Sequence, residues 1–217
     1  MPDVVVCGGG VIGLASAMML ARDGHAVTVL ERDGSQVPSS PIEAWDDWDR
    51  TGVPQFRQPH NLFPGYRRVL EAELPDVFAG LVEAGGTWVD LMASLPPFVA
   101  DRTPRPDDDK FRFITGRRPM VEYVHARAAA NEPGVTVRRG TKIEGLLAEP
   151  TTNGTTQVTG VRTADGDFTA DLVVDAMGRR SPAADWLRAL GRGPLVQSQE
   201  SGFTYYTRYF AGPEQPV

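Results

Sequence analysis

Four glycines within six residues, Gly8-Gly9-Gly10-Val11-Ile12-Gly13, join a short apolar run to a stretch of good helix formers, and this junction constrains the fold most. Val4-Val5-Val6-Cys7 before it has the unbroken apolar character of a strand buried on both faces. Val11 to Asp23 after it is rich in Leu, Ala and Met, and Gly24 is placed to terminate a helix. Ala26 to Leu30 is a second β-branched run, ending in Glu31. A strand, a helix and a strand in about thirty residues is the size of one βαβ unit. A cleaved leader explains the same stretch poorly, because Asp3 is the only charge ahead of it and glycines fall where a leader helix would run.

The spacing G-x-G-x-x-G is common when taken alone, but its position between strand and helix gives each glycine a task. Gly8 permits the tight turn, Gly10 clears space where backbone approaches a pyrophosphate, and Gly13 lets the helix pack closely. The helix start then offers free amides and a positive dipole end to the diphosphate. Glu31, closing the second strand, is placed to accept hydrogen bonds from ribose hydroxyls, and its charge disfavours a 2′-phosphate. Ala17, Leu20, Gly24 and Val27 fall at the packing positions such a unit needs.

Further along, Gly34 to Pro64 turns to Pro, Ser, Asp and aromatic residues and reads as loop, with at most a short helix over Ala44 to Arg50. Tyr66 to Gly85 reads as helix in two pieces, because Pro75 must break or restart it. Ser94 to Asp109 is a proline-rich loop whose Asp107-Asp108-Asp109 is read as a solvated face rather than a metal site. Pro119 to Ala130 is expected to be a helix with proline in its first turn. Val135 to Arg138, Ile143 to Ala148 and Val158 to Thr163 alternate like strands, and Ala164 to Asp167 supplies a hairpin turn. Leu172 to Asp175 is expected as another buried strand, Pro182 to Leu190 as a short helix, and Phe203 to Phe210 as a half-buried strand.

Composition narrows the function classes. Hydrophobic residues at 41% are ordinary for a globular chain, and a formal charge of −6 with no basic stripe argues against nucleic acid as partner. No apolar stretch has the length of a membrane span. The single cysteine, Cys7, has no partner for an internal disulfide, so a reducing, cytoplasmic setting is expected.

Val4 to Arg32 resembles the start of FAD-dependent oxidoreductases of the aromatic-hydroxylase type, similar to p-hydroxybenzoate hydroxylase. Arg118-Pro119-Met120-Val121-Glu122 looks like that family's helix start, whose leading Arg or Gln contacts the flavin. Leu172 through Ser181 looks like its second dinucleotide motif, with Met177 where the hydroxylases carry aspartate. That variant is closer to the form in geranylgeranyl reductases, while the Trp-x-Trp-x-Ile-Pro signature of flavin halogenases is absent. Gln55 to His60 also resembles a segment that passes the flavin in related monooxygenases, so Arg57 or Gln58 is either a cofactor contact or part of a polar surface loop; His60 is read as structural. The resemblance implies cofactor contacts at Gly8, Gly10, Val11, Ile12, Gly13, Glu31, Arg32, Arg118, Ile143 and Gly178, and it identifies no catalytic side chain.

The fold so implied is α/β: a Rossmann-like FAD-binding fold of the glutathione-reductase type, with a central parallel sheet and a β-meander. Residues 1–195 are expected to form the FAD-binding domain, with 86–118 as a substrate-side insertion, and 196–217 to begin a substrate-binding sheet. The only Gly-Asp is Gly166-Asp167 in the hairpin turn, so the family's late Gly-Asp motif is missing. The chain is therefore expected to be an N-terminal portion or short form, held by its own oligomer or by a complementing polypeptide, with the isoalloxazine poorly sheltered. The leading expectation is a monooxygenase taking electrons from NAD(P)H and inserting one atom of O2 into a small organic substrate. A dehydrogenase or double-bond reductase, and a non-catalytic FAD-binding module, are the alternatives.

Overall fold

The computed structural model describes residues 2–93 and 95–210; Met1, Ser94 and the last seven positions of the chain lie outside. At its centre is a parallel sheet of β1 (Asp3–Cys7), β2 (Ala26–Glu31), β6 (Val135–Arg139) and β10 (Leu172–Asp175), in the order β10-β1-β2-β6. Its register aligns Val4 with Val27 and Leu172, and Val29 with Val137. The two-residue period of a strand sorts the apolar residues of β1 and β2 between two cores. Val4, Val6, Val27 and Val29 join Leu14 and Met18 of α1 (Val11–Arg22) and Val121 and Val124 of α5 (Arg118–Asn131). Val5, Cys7 and Leu30 face the other way, onto Ile143 and Val161 of an antiparallel meander, β7 (Ile143–Pro150), β8 (Thr156–Thr163) and β9 (Gly166–Thr169). Helices, parallel sheet and meander thus form three layers, as the Rossmann-like reading with a meander requires.

Helix α1 stops where the sequence suggests. Gly24 takes a φ of +91°, His25 N–H reaches Leu20 C=O at 3.1 Å and Gly24 N–H reaches Ala21 C=O at 2.9 Å, which together make a Schellman end. Pro75 divides the next helical stretch into α3 (Pro64–Glu73) and α4 (Pro75–Glu83), each with proline in its first turn.

Four readings of the sequence need correction. The short helix α2 spans Pro41–Asp46 rather than Ala44 to Arg50, because Ser40 caps it by accepting the Glu43 amide and Pro41 fixes its first turn. The Gly34 to Pro64 stretch read as loop and the 86–118 insertion, given no strand, hold a second sheet, β3 (Pro59–Leu62), β5 (Phe113–Arg117) and β4 (Thr87–Val89), ordered β3-β5-β4. Leu172 to Asp175 is an edge strand rather than a buried one, with Leu172 47% exposed. Phe203 to Phe210 forms no strand: residues 192–210 have no regular element, and Phe203, Tyr205, Tyr206 and Phe210 are exposed. A strand needs at least one neighbour to pair its backbone, and no other strand lies beside these residues in the sheets described.

Candidate functional site

The site lies at the carboxyl ends of β1 and β2, where open α/β sheets receive ligands. Gly8 leaves β1 with a φ of +108°, and its amide donates to Leu30 C=O at 2.8 Å. A Cβ at Gly8 would lie 2.7 Å from Ala176 O, and one at Gly13 would lie 2.0 Å from Gly8 O. Both glycines are therefore demanded by the chain's own packing of strand, turn and helix. Gly10 differs, because a Cβ there would meet nothing within 4 Å. Its backbone (φ −82°, ψ 177°) is open to any residue, so no internal contact requires glycine.

That open space faces the start of a twelve-residue helix. The first intrahelical bond runs from Leu14 N–H to Gly10 C=O at 2.9 Å, so the amides of Val11, Ile12 and Gly13 precede the ladder. No side chain caps them. Uncapped amides, a positive dipole end and a cradle that a side chain would fill together fit the diphosphate of FAD, and no observation at the turn opposes it.

Glu31 borders the turn. Its Oε2 accepts from the Gly9 amide and from Arg50 Nη2, both at 2.8 Å, and its Oε1 accepts from the Asp33 amide at 2.8 Å. Arg50, 3% exposed, also lies 2.8 Å from Asp33 and 3.0 Å from Glu122. Burial works to raise the Asp33 carboxyl, yet hydrogen bonds from Ser35 and the nearby Arg50 charge hold it below the usual carboxylate range. Glu122, fully buried, takes Arg118 on its other oxygen, with Nε at 2.8 Å and Nη2 at 2.5 Å. Arg118 Nη1 ends the chain at His60 Nε2, 2.6 Å away. Burial and the Arg118 charge push His60 down to about 4, so it is a neutral acceptor and its reading as structural agrees with the geometry.

Other expected contacts are distributed unevenly. Arg32 is exposed beside Gly52, just past the end of β2. Ile12 is 60% exposed in the first turn of α1, whereas Val11 packs into the core. Gly178 takes a left-handed φ of +77° after β10, and Ala176 before it forms the wall behind Gly8 and Gly13. Met177 packs into the second core beside Cys7, whose thiol is pushed up to about 12 by burial and by Asp175. Ile143 buries its side chain in that same core. Arg57 donates to Trp45 C=O and, at 2.8 Å, to Trp48 C=O, while Gln58 accepts from Thr207 at 2.7 Å. The polar-loop alternative for Arg57 and Gln58 therefore matches their partners among the described residues. Asp107 and Asp109 pair with Lys110, Arg67 and Arg112.

The sequence reading missed Arg50, Asp33 and Glu122. The Arg118–Glu122 pair was open to view as a helical i,i+4 spacing. Arg50 carried no local signal, because the carboxylates around it come from residues 31, 33 and 122.

A family model described as FAD dependent oxidoreductase matches residues 3–40. Among solved structures, a variant of PqsL from P. aeruginosa is 18% identical with a TM-score of 0.57, over 92% of this chain and 48% of that one. The p-nitrophenol 4-monooxygenase PnpA from Pseudomonas putida DLL-E4 is 18% identical with a TM-score of 0.51, over 86% and 44%. THI4 from Thermovibrio ammonificans is 19% identical with a TM-score of 0.51, over 87% and 62%. The chain spans less than half the length of the two Pseudomonas proteins. Through the dinucleotide unit at residues 3–40, and through a fold shared over most of its length, the chain resembles the FAD-dependent oxidoreductases.

Proposed function

We propose that this chain forms the FAD-binding part of an oxidoreductase of the monooxygenase type, which takes electrons from NAD(P)H and acts with O2 on a small organic substrate. The observation that carries the proposal is the open space at Gly10 before three uncapped amides, with the Glu31 carboxylate bordering the same turn. In this reading the amides of Val11, Ile12 and Gly13 receive the diphosphate, and Gly10 permits its approach. Glu31 Oε1, which has accepting capacity beyond the Asp33 amide, takes a ribose hydroxyl. Arg32 and Gly178 border the cofactor at the ends of β2 and β10. Arg118 acts through Glu122 and His60, and Ile143 supports the site from the core beneath it.

The bound flavin supplies the two-electron redox chemistry and the activation of dioxygen. The protein's task is to bind, orient and shelter it. No helix of the described residues is long and apolar enough to cross a membrane.

The first test is titration of the purified chain with FAD, read by quenching of flavin fluorescence; saturable one-to-one binding is expected. The second adds NADH or NADPH and follows oxygen uptake with candidate phenols. Nicotinamide oxidation without oxygen uptake, coupled to loss of an alkene, would replace the monooxygenase reading with a reductase.

A further inference from the structure

We propose that Arg50 is the positioning residue of the nucleotide site: anchored by Glu122 and Asp33, it aims the Glu31 carboxylate at the adenosine ribose. The proposal rests on the FAD reading above and adds a residue that touches neither diphosphate nor ribose in it.

The argument starts from the shape of the guanidinium. Its planar fork presents donors in fixed directions: Nη2 donates to Glu31 at 2.8 Å and Nη1 to Glu122 at 3.0 Å, while Nε lies 2.8 Å from Asp33 as an ion pair without hydrogen-bond alignment. The side chain is 2% exposed, so these contacts are made away from water. Glu31 Oε2 is held from two sides, by Arg50 and by the Gly9 amide. The carboxylate plane is thereby fixed, and Oε1 keeps one accepting direction after the Asp33 amide. A lysine at residue 50 would bring the charge without the fork.

Stability alone explains the arrangement poorly. Burying ion pairs incurs desolvation that apolar packing of the same volume avoids, so such a cluster is weak evidence for stability. What it provides is geometry, and the geometry converges on Glu31 and the turn. Glu122 belongs to α5, so this helix, whose N-terminal residue Arg118 also binds Glu122, takes part in aiming a carboxylate on β2.

The test uses the full chain and two variants, Arg50→Lys and Glu122→Gln. Each is titrated calorimetrically with ADP and with 2′,3′-dideoxy-ADP, and its folding is checked by circular dichroism and thermal melting. A hydrogen bond to a charged group separates the two nucleotides by about tenfold or more in the parent chain. Both variants are expected to bring that ratio to within about threefold, while dideoxy-ADP, which keeps the diphosphate, changes little. Equal loss of both nucleotides would show a packing role only and overturn the proposal, as would a ratio kept at its parent value. If Arg50→Lys fails to fold, Glu122→Gln decides alone, since it keeps an acceptor of the same shape. A parent chain that binds ADP without discriminating overturns the positioning role and leaves the diphosphate reading standing. A parent chain that binds neither nucleotide removes the FAD reading, and this proposal with it.

Discussion

Gly10→Val separates what the fold needs from what the cofactor needs. In the protein alone the new side chain enters open space at a backbone conformation that every residue adopts. Losing glycine at the helix N-cap costs about 0.5–1 kcal/mol, and the stiffer unfolded chain returns about 0.4–1 kcal/mol. The two nearly cancel, so the melting temperature should stay within a few degrees of the parent. In the proposed placement FAD meets a different surface, because the added methyls would stand where its diphosphate approaches the amides of Val11 to Gly13. Amide bonds to a charged oxygen contribute about 1.5–3 kcal/mol each. Losing two of them removes about 3 kcal/mol, a drop in affinity of more than about a hundredfold. Fluorescence titration with FAD measures the affinity, and a circular dichroism melt measures the fold. A variant that melts like the parent and still binds FAD within threefold of it would refute the placement of the diphosphate.

Gly13→Ala should behave oppositely: its Cβ falls 2.0 Å from Gly8 O, so the melt should drop by an amount equivalent to about 1–3 kcal/mol, and an unchanged melt would contradict the packing argument. Leu14→Ala, at a fully buried position between α1 and the sheet, should cost about 2–5 kcal/mol in chemical denaturation. Arg118→Ala removes one of two cations from the fully buried Glu122 and the donor from His60; a loss of about 3 kcal/mol is expected, and a neutral result would mean water reaches Glu122. Burial pushes both His60 and the fully buried His125 down to about 4, so the unfolded chain binds more protons than the folded one between there and the usual 6.5. Their stabilisation is complete above about pH 6.5 and is lost as pH falls toward 4, at up to about 1.4 kcal/mol per pH unit for His125 and less for the more exposed His60. The lowered Asp33 and Asp76 carboxyls titrate below that window, so a melting temperature flat from pH 6.5 to 4.5 would refute the histidine assignment.

How much of this was legible depended on how local each signal was. β1, α1 and β2 could be read because their pattern, glycines and helix end lie within thirty residues and obey steric rules that context rarely overrides. The break at Pro75 belongs to the same class. β3, β4 and β5 were hidden because Pro59-His60-Asn61-Leu62 and Thr87-Trp88-Val89 are too short to show a period, and they become strands only by pairing with Phe113–Arg117. Phe203 to Phe210 shows the reverse error, a period of two without a partner to pair with. In the site, the turn and Glu31 were visible, while Arg50 was not, since a lone arginine among aspartates and tryptophans acquires meaning only from carboxylates distant in sequence.

The edge strand β10 has a kinetic consequence. It aligns Leu172 with Val4, and the residue after it, Ala176, closes the back of the glycine turn at Gly8. The pocket's first wall is therefore synthesised some 165 residues ahead of its last. Closing so long a loop is slow compared with forming the neighbouring βαβ unit. If the chain binds FAD as proposed, a nascent chain halted before Leu172 should hold a formed helix yet retain no flavin, so cofactor capture waits for β10.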